Sequence, residues 1–383
     1  MQRPSPPGLP LATALMMFPQ VVETIYSPAL PDIARGFSVT AEHAGQTLSL
    51  YFLAFALGVV TWGRTCDQWG RRPTMLAGLS LYGVASLVAL LSSSFECLLI
   101  ARMLAAFGAA VGSVGTQTML RDSYHGEKLA RIFALMGVAL AASPALGMIS
   151  GAVLTDYSGY QGVFTCLAML AAVLLGWSTI MLPETRPPRI ASVSLTQTLM
   201  MMLKDQDIWR TALLVALFNV CLFAYYQLAP FDFKRMGLSN EMFGYSGMAM
   251  ACGVGLGALL NHYLLKAGWS SSFLVLLAAL LVLIGAMGVT IASTWRFIMP
   301  MVLVVMAYGI AIPNILATAL ANYADRKGTA GAVLGLLYYL MLGIGLMMTS
   351  EIQRLGEVLF CCGIGALLCA THAHFATLRK ATS

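Results

Sequence analysis

The sequence predicts an all-α membrane protein whose twelve transmembrane helices form two six-helix bundles. The 383-residue chain is 59% hydrophobic and only 10% charged, whereas about 25% of the residues in a typical soluble chain are charged. Charges are nearly absent from many stretches of about 20 residues, the length at which a helix crosses a bilayer. The connections between these stretches are short, which leaves no room for a sizeable soluble domain.

Six apolar segments lie on each side of a polar connection, and each segment predicts one helix. They are 9–34, 45–63, 73–92, 97–120, 129–154 and 161–182 in the first half, and 208–231, 242–265, 269–292, 295–320, 328–350 and 355–377 in the second. Between the halves, the stretch 183–188 (PETRPP) stops a helix and starts a polar connection. We therefore expect a first bundle over 1–190, a cytoplasmic linker over 191–207 and a second bundle over 208–383.

The distribution of Lys and Arg predicts the orientation of the chain. Of these 22 residues, sixteen fall on the side that holds both termini, five fall on the other side, and Arg102 lies within a predicted helix. Because basic residues mark the cytoplasmic side, both termini are expected to be cytoplasmic. The same bias explains the net charge of +6, so we expect no nucleic-acid partner. The segment that begins at Leu9 carries Glu23 and has no small-residue cleavage site, which favours a first membrane helix over a signal peptide.

The composition excludes several kinds of site. The eight cysteines lie mostly inside apolar segments and show neither metal-ligand spacing nor the pattern of a secreted disulfide framework. The sequence has no phosphate-binding loop and no catalytic triad. We therefore expect no enzymatic activity, no bound metal and no cofactor. The 24 methionines are compatible with a deformable cavity lining, but also with ordinary membrane packing.

A short charged hairpin, 63–73 (GRTCDQWGRRP), connects the second and third predicted helices. It resembles the loop at this position in the major facilitator superfamily, whose pattern is roughly G-x-L-x-D-R-x-G-R-[RK]. Thr65 and Gln68 depart from this pattern. The residues that match it are Gly63, Asp67, Gly70, Arg71 and Arg72.

Further motifs are similar to those of the Bcr/CflA-type drug:proton antiporters, a branch of this superfamily. The first helix carries TIYSPALP, in which Thr24 replaces the common Asp of D-x-Y-x-P-A-[LF]-P. The fourth helix carries RMLAAFG from Arg102, with Ala105 in place of the usual Gln. The fifth carries SPALG from Ser143, where exporters have G-P-x-x-G-G. Matching stretches of the second half are 309–314 (GIAIPN) and 328–332 (GTAGA).

The resemblance implies a fold and a function. It implies a monomeric transporter in the cytoplasmic (inner) membrane of a bacterium, with a small-molecule substrate and the proton as coupling ion. The leading expectation is a secondary exporter of a drug or metabolite that works by alternating access. An importer or facilitator of a siderophore, nucleoside or amino acid on the same scaffold is the alternative. A non-transporting receptor or assembly protein is the third class, but it would not need charged residues inside the membrane spans.

The resemblance also implies a cytoplasmic gate. In the family, the Asp that corresponds to Asp67 caps a helix of the second half and pairs with an Arg of the fourth helix, here Arg121. The alternative is a solvated loop charge. The expected gate residues are Gly63, Asp67, Gly70, Arg71, Arg72, Arg121 and Asp122.

Glu23 and Arg102 are the expected proton-coupling residues. A charge at membrane depth costs about 2.5–3.5 kcal/mol, so it normally faces a watery cavity or a partner. Burial also favours the neutral form of a carboxyl group, which permits reversible protonation. The alternatives are that Glu23 is solvated at a helix end and that Arg102 extends outward to the membrane surface.

Two other groups of residues are candidates. The residues Ser143, Pro144, Gly147 and Gly151 combine a predicted helix kink with a small-residue face, although ordinary tight packing gives the same pattern. Polar and aromatic residues are candidates for the substrate cavity, with lipid-interface anchoring or packing as the alternative for each. They are Tyr26, Tyr51, Asn219, Tyr226, Gln227, Tyr308, Asn314 and Tyr338.

Overall fold

The computed structural model describes residues 6–187, 194–292 and 294–382. It confirms the all-α prediction. Its α-helices are α1 (Leu9–Thr24), α2 (Leu30–Gly36), α3 (Ala41–Trp69), α4 (Arg71–Leu91), α5 (Phe95–Ser123), α6 (Gly126–Met181), α7 (Leu195–Leu203), α8 (Gln206–Arg235), α9 (Asn240–Lys266), α10 (Ser271–Ile291), α11 (Ile298–Thr318), α12 (Lys327–Ile352) and α13 (Leu355–Thr382). Short 3₁₀ helices cover Ser27–Ala29, Trp295–Phe297 and Ala321–Arg326.

The described residues contain eleven helical segments that are long and apolar enough to cross a membrane. One of them, α6, has 56 residues and is interrupted by non-helical backbone at Ser158 and at Gly159, whose φ is 60°. Because about 20 residues cross a bilayer, α6 accounts for two crossings. The twelve predicted spans are thus all present. The first predicted span, 9–34, consists of α1, a 3₁₀ turn and α2.

Short polar side chains cap many of the helices and explain why they extend beyond the apolar segments. α3 begins four residues before the predicted span 45–63, because the side chain of Thr40 accepts a hydrogen bond from the backbone N–H of His43. The other residues that cap helix N-termini in this way are Ser94, Ser194, Asp205, Ser239 and Ser270.

The chain divides into two compact units, Met1–Val193 and Ser194–Ser383. We call them unit 1 and unit 2. The expected linker, 191–207, lies partly outside the described residues, and its remainder contains α7 and the start of α8. α7 packs against α12 and α8, so this segment belongs to unit 2 by its contacts.

Unit 1 is built around α5, which packs against α1, α3 and α4. Small residues allow this close packing: a Cβ atom at Gly108 would lie 2.8 Å from the carbonyl oxygen of Gly78 in α4. α1 approaches α6 equally closely, since a Cβ atom at Gly151 would lie 2.1 Å from the carbonyl oxygen of Ile25. Without a hydrophobic driving force between helices in lipid, such contacts between backbones hold a bundle together.

In unit 2, α8 packs against α9, α11, α12 and α13, and α10 packs against α11 and α13. Polar side chains also join the helices of this unit. The side-chain amide of Asn314 in α11 donates to Oδ1 of Asn261 in α9 at 2.6 Å, and both residues are buried. Nδ2 of Asn314 also donates to the carbonyl oxygen of Ile310.

The close packing of α1 on α6 predicts a large effect of a single methyl group. Gly151→Ala places a Cβ atom against the backbone of Ile25, and overpacking of this kind costs about 1–3 kcal/mol. We expect a lower melting temperature for the purified variant in detergent. Gly137→Ala is the control, because Gly137 lies on the same helix with nothing within 4 Å of its Cβ position. Equal melting temperatures for the two variants would contradict the packing described here.

Candidate functional site

Glu23 and Arg102 lie in the interior of unit 1. Their exposed fractions are 7% and 1%. The guanidinium carbon of Arg102 lies 3.9 Å from the ring centroid of Tyr26 and 4.6 Å from that of Tyr51. Such contacts between a cation and an aromatic face are attractive, and more so away from water. Arg102 therefore does not extend outward to the membrane surface.

The polar atoms of this cluster are only partly satisfied by the protein. Oε1 of Glu23, Nε and Nη2 of Arg102, and the hydroxyl of Tyr51 are buried and have no hydrogen-bond partner. The charge of Arg102 acts on Glu23 and on Tyr51. Because an unpaired buried polar group costs about 1–3 kcal/mol, and a charged one more, these atoms favour water or a polar ligand beside them.

Tyr26 is held in place by the neighbouring helix. Its hydroxyl donates to Oγ1 of Thr47 at 2.9 Å, and Thr47 donates in turn to the carbonyl oxygen of Ala44. This bond orients the Tyr26 ring toward the guanidinium group of Arg102. Thr47 was not predicted as a site residue, since a lone Thr in an apolar span has no distinguishing sequence signal. The cluster offers free donors on Arg102 and a group on Glu23 that can exchange a proton.

The small-residue motif of α6 packs behind this cluster. Gly147 and Gly151 contact α1 at Thr24 and Ile25. The hydroxyl of Ser143 donates to the carbonyl oxygen of Ala139 within α6. The interruption of α6 at Ser158 and Gly159 falls between the predicted spans 129–154 and 161–182, and the predicted kink at Pro144 stays a prediction. The motif therefore brings α1 and α6 together, with Val21, Thr24 and Ile25 at their interface.

A second polar cluster joins the end of α3, the start of α4 and the end of α5. Arg71 is 3% exposed, and its Nε donates to Oδ2 of Asp122 at 2.7 Å. Its Nη1 donates to the carbonyl oxygen of Cys66 at 2.8 Å and to Oδ1 of Asp67 at 3.1 Å. We call Asp67, Arg71 and Asp122 the clasp.

The clasp corrects the predicted pairing of Asp67 with Arg121. Asp67 pairs with Arg71, four residues later in the chain. Arg121 is exposed; its Nη2 lies 3.5 Å from Oε1 of Gln117, and its guanidinium carbon lies 5.7 Å from the ring centroid of Phe133. The residue of α5 that joins the clasp is the neighbouring Asp122. The predicted contact of Asp67 with a helix of the second half stays a prediction.

Glu184, which was predicted only as part of a helix stop, binds the start of α4. Its carboxylate accepts hydrogen bonds from the backbone N–H groups of Arg71 at 2.9 Å and Arg72 at 3.2 Å. Carboxylates stabilise helix N-termini in this way. Gly70 between α3 and α4 has a φ of 109° and lies under Glu184, so a Cβ atom there would be 2.5 Å from Oε2. The positive φ is the reason for glycine at this position.

The remaining predicted gate residues lie around the clasp. Arg72 donates from Nη2 to the carbonyl oxygen of Thr179 at 2.7 Å, which ties α4 to the end of α6. Arg186 donates from Nη1 to the carbonyl oxygen of Gln68 at 2.9 Å. Gly63 packs against Val114 of α5 at an ordinary contact distance.

The predicted cavity residues of unit 2 bind mainly to one another or to neighbouring helices. Gln227 is fully buried, and its Nε2 donates to Oγ of Ser350 at 2.5 Å, although its Oε1 has no partner. The hydroxyl of Tyr308 donates to Oδ1 of Asn219 at 3.4 Å. Tyr226 is buried, and the ring of Tyr338 lies 4.2 Å from that of Tyr339. Their role as cavity residues stays a prediction.

A family model described as Major Facilitator Superfamily matches residues 12–346. A protein named "Uncharacterized transporter" from Rickettsia bellii (strain RML369-C) is 32% identical over 87% of each chain. A "Chloramphenicol resistance protein" from Pseudomonas aeruginosa is 30% identical over 86% of this chain and 80% of that protein. "Multidrug resistance protein D" from Escherichia coli (strain K12) is 26% identical over 88% of this chain and 87% of that protein.

Solved structures share the fold. The crystal structure of a D-xylose-proton symporter matches with a TM-score of 0.78 and covers 95% of both chains at 14% identity. A POT family transporter in complex with 5-aminolevulinic acid matches with a TM-score of 0.76 over 96% of both chains, also at 14% identity. The matched family and these relatives are transporters rather than enzymes.

The clasp predicts that Arg71 stabilises unit 1 far more than Arg121 does. Arg71→Gln leaves Asp122 without its partner, and removal of one member of a buried ion pair costs about 3 kcal/mol. Arg121→Gln changes an exposed residue and should cost about 0.5 kcal/mol or less. The melting temperatures of the purified variants in detergent measure this difference. A larger loss for Arg121→Gln would show that the clasp is wrongly assigned.

The capping contact of Glu184 with α4 predicts a smaller loss of stability than the loss expected for Arg71→Gln. Glu184→Ala removes the acceptor of two backbone N–H groups at the start of α4, and loss of a helix cap costs about 1 kcal/mol. We expect a modest decrease in melting temperature. Glu127→Ala is the control, because Glu127 is an exposed acid in the first turn of α6. An equal decrease in both variants would mean that Glu184 does not cap α4.

Proposed function

The chain belongs to the Major Facilitator Superfamily, and from this we propose that it is a proton-coupled secondary exporter of a small organic molecule such as a drug or metabolite. The observation that carries the proposal is the buried, incompletely paired cluster of Glu23 and Arg102 in unit 1. The names of two relatives, a chloramphenicol resistance protein and a multidrug resistance protein, support export of organic molecules.

Glu23 is the proposed proton carrier. Protonation removes its charge and therefore the free-energy penalty of a carboxylate at membrane depth. In the deprotonated state, the carboxylate attracts a cationic substrate or one that donates a hydrogen bond. Proton and substrate then disfavour each other at one site, and this mutual exclusion is the coupling that an antiporter requires.

Arg102 is the proposed fixed charge of the site. The rings of Tyr26 and Tyr51 restrict the movement of its guanidinium group. When Glu23 is deprotonated, the two charges compensate each other. When Glu23 is protonated, the charge of Arg102 is unbalanced. Protonation of Glu23 therefore changes the electric field that acts on any ligand in the cluster.

Alternation between two access states is the proposed role of the clasp. The bonds of Arg71 to Asp67 and Asp122 hold the ends of α3 and α5 at the start of α4. We propose that these bonds stabilise one state of the transport cycle, and that substrate binding at the Glu23 cluster does not depend on them. The distribution of Lys and Arg supports a cytoplasmic location of the clasp and of both termini, in the inner membrane of a bacterium.

The membrane potential is a sufficient energy source for this exchange. One proton that moves inward through 100 mV releases about 2.3 kcal/mol. A free-energy difference of 1.4 kcal/mol is a tenfold concentration ratio. One proton per uncharged molecule therefore sustains a considerable outward gradient even without a pH difference, whereas one-for-one exchange with a monovalent cation moves no net charge and requires a pH difference.

Replacement of Glu23 should abolish proton coupling but preserve substrate binding. We expect chloramphenicol, as the first probe, to release protons from the detergent-solubilised wild-type protein, and to release none from Glu23→Gln. Binding should persist in the variant with a flattened pH dependence, because the amide still accepts hydrogen bonds but does not titrate. Glu96→Gln is the control, since Glu96 is an exposed acid at the start of α5. Unchanged proton release in Glu23→Gln would exclude Glu23 as the coupling residue.

The direction of transport needs a separate measurement. In inside-out membrane vesicles, acidification of the lumen should drive accumulation of the probe by the wild-type protein. Glu23→Gln should show no such accumulation. Accumulation of the probe in right-side-out vesicles, driven by acidification of the exterior, would instead identify the chain as an importer and reject the proposed direction.

A further inference from the structure

The short helix α7 lies outside the membrane-length segments and is held by its inner face. Leu195, Leu199 and Met202 pack in a cluster with residues of α8 and α12, among them Ile208 and Leu334. Isolated helices of nine residues are unstable in water, so this packing accounts for the helix. The inner face follows the i, i+4, i+7 spacing of an amphipathic helix.

The outer face of α7 is also apolar. Met200, Met201 and Leu203 have exposed fractions of 60%, 44% and 42%. On a membrane-spanning helix such exposure means contact with lipid tails. On a helix outside the spans, three large apolar side chains that face water would be unfavourable, by roughly 25 cal/mol for each Å² of apolar surface.

The surroundings of this face are typical of a membrane interface. Trp209 is 40% exposed, and its indole N–H donates to the carbonyl oxygen of Leu203 at 2.9 Å. Tryptophan is enriched where lipid headgroups meet hydrocarbon. Arg326 approaches the sulfur of Met201 with Nη1 at 3.5 Å, and Lys204 is an exposed cation that directly follows the helix. Cations therefore flank the apolar face.

Two acidic residues that follow α7, Asp205 and Asp207, are engaged in internal bonds. Asp205 accepts hydrogen bonds from the hydroxyl of Tyr323 at 2.9 Å and from the backbone N–H of Asp207. Asp207 pairs with Arg210 at 2.7 Å. These bonds also tie the end of α7 to the connection between α11 and α12. Burial and the bond with Asp205 raise the pKa of Tyr323 to about 12, so its hydroxyl keeps the donated proton at physiological pH.

We propose that Met200, Met201, Leu203 and Trp209 insert into the headgroup region of the cytoplasmic leaflet, and that Lys204 and Arg326 bind its anionic headgroups. Charge complementarity selects this occupant, because basic residues near a cytoplasmic membrane surface attract anionic lipids. The lipid contact is independent of the Glu23 chemistry. Through Asp205 and Tyr323, it stabilises the ends of α8 and α12, so anionic lipid supports the folded state of unit 2.

Spin labels on the full chain in vesicles test the insertion. In a cysteine-free background, the label is attached at Met200→Cys or, as a control for an exposed polar position, at Glu127→Cys. In vesicles of phosphatidylcholine and phosphatidylglycerol, we expect the label at 200 to collide more with oxygen than with a water-soluble nickel complex, and the label at 127 to show the reverse. Equal nickel access at both positions would overturn the proposal. Shielding of position 200 from both reagents would also overturn it, since a protein surface would then cover α7.

The binding of anionic lipid by Lys204 is tested by a separate measurement of melting temperatures. Addition of phosphatidylglycerol to the detergent-solubilised wild-type protein should raise its melting temperature, and Lys204→Gln should lose much of this increase. Lys266→Gln, which changes an exposed cation at the end of α9, should keep the increase. An equal response of both variants, or an equal gain from phosphatidylcholine alone, would reject the binding of anionic headgroups by Lys204.

Discussion

The absence of water from the bilayer interior is the constraint on which this structure depends. Every polar group there must find a partner within the protein, and helices satisfy their backbone groups internally. Polar side chains require further arrangements. In unit 2, the pairs Tyr225 with Ser246 and Asn261 with Asn314 each join two helices. Glu23 and Arg102 in unit 1 depart from this rule, and a departure in a charged pair needs a functional explanation.

The sequence was sufficient to predict the helices because a membrane span is a local property. Length, hydropathy and charge within about 20 residues determine it. The same reasoning explains the boundary errors. α3 continues to Trp69 through the charged residues of the hairpin, because the helix ends only at Gly70, where the backbone adopts a positive φ. A hydropathy profile marks only the apolar segment. It therefore misses a charged turn by which the helix extends beyond that segment.

The site was predicted less completely, because its contacts are distant in the chain. The motif named Asp67 and Arg71 as gate residues, but it did not predict the pair that they form, because α3 and α4 are separated by the turn at Gly70. It did not distinguish Arg121 from Asp122, neighbours that differ by about 100° around α5. Glu184 reaches the start of α4 across 113 residues, and no pattern within either segment indicates that contact. The rings around Arg102 likewise come from α3 and from the turn after α1.

The closest helix packing of unit 1 is separate from the buried charges of Glu23 and Arg102, and this separation bears on mechanism. Bonds such as that between Gln227 and Ser350 hold the helices of unit 2 together, so a change in any one of them disturbs packing. In unit 1, packing at Gly108 and Gly151 depends on contacts between backbones, and these contacts do not involve the charges of Glu23 or Arg102. Under the proposed mechanism, a change in the protonation of Glu23 would therefore leave these packing contacts intact. A coupling site requires this separation, because a residue that both titrates and supports the fold would destabilise the protein in one of its two protonation states.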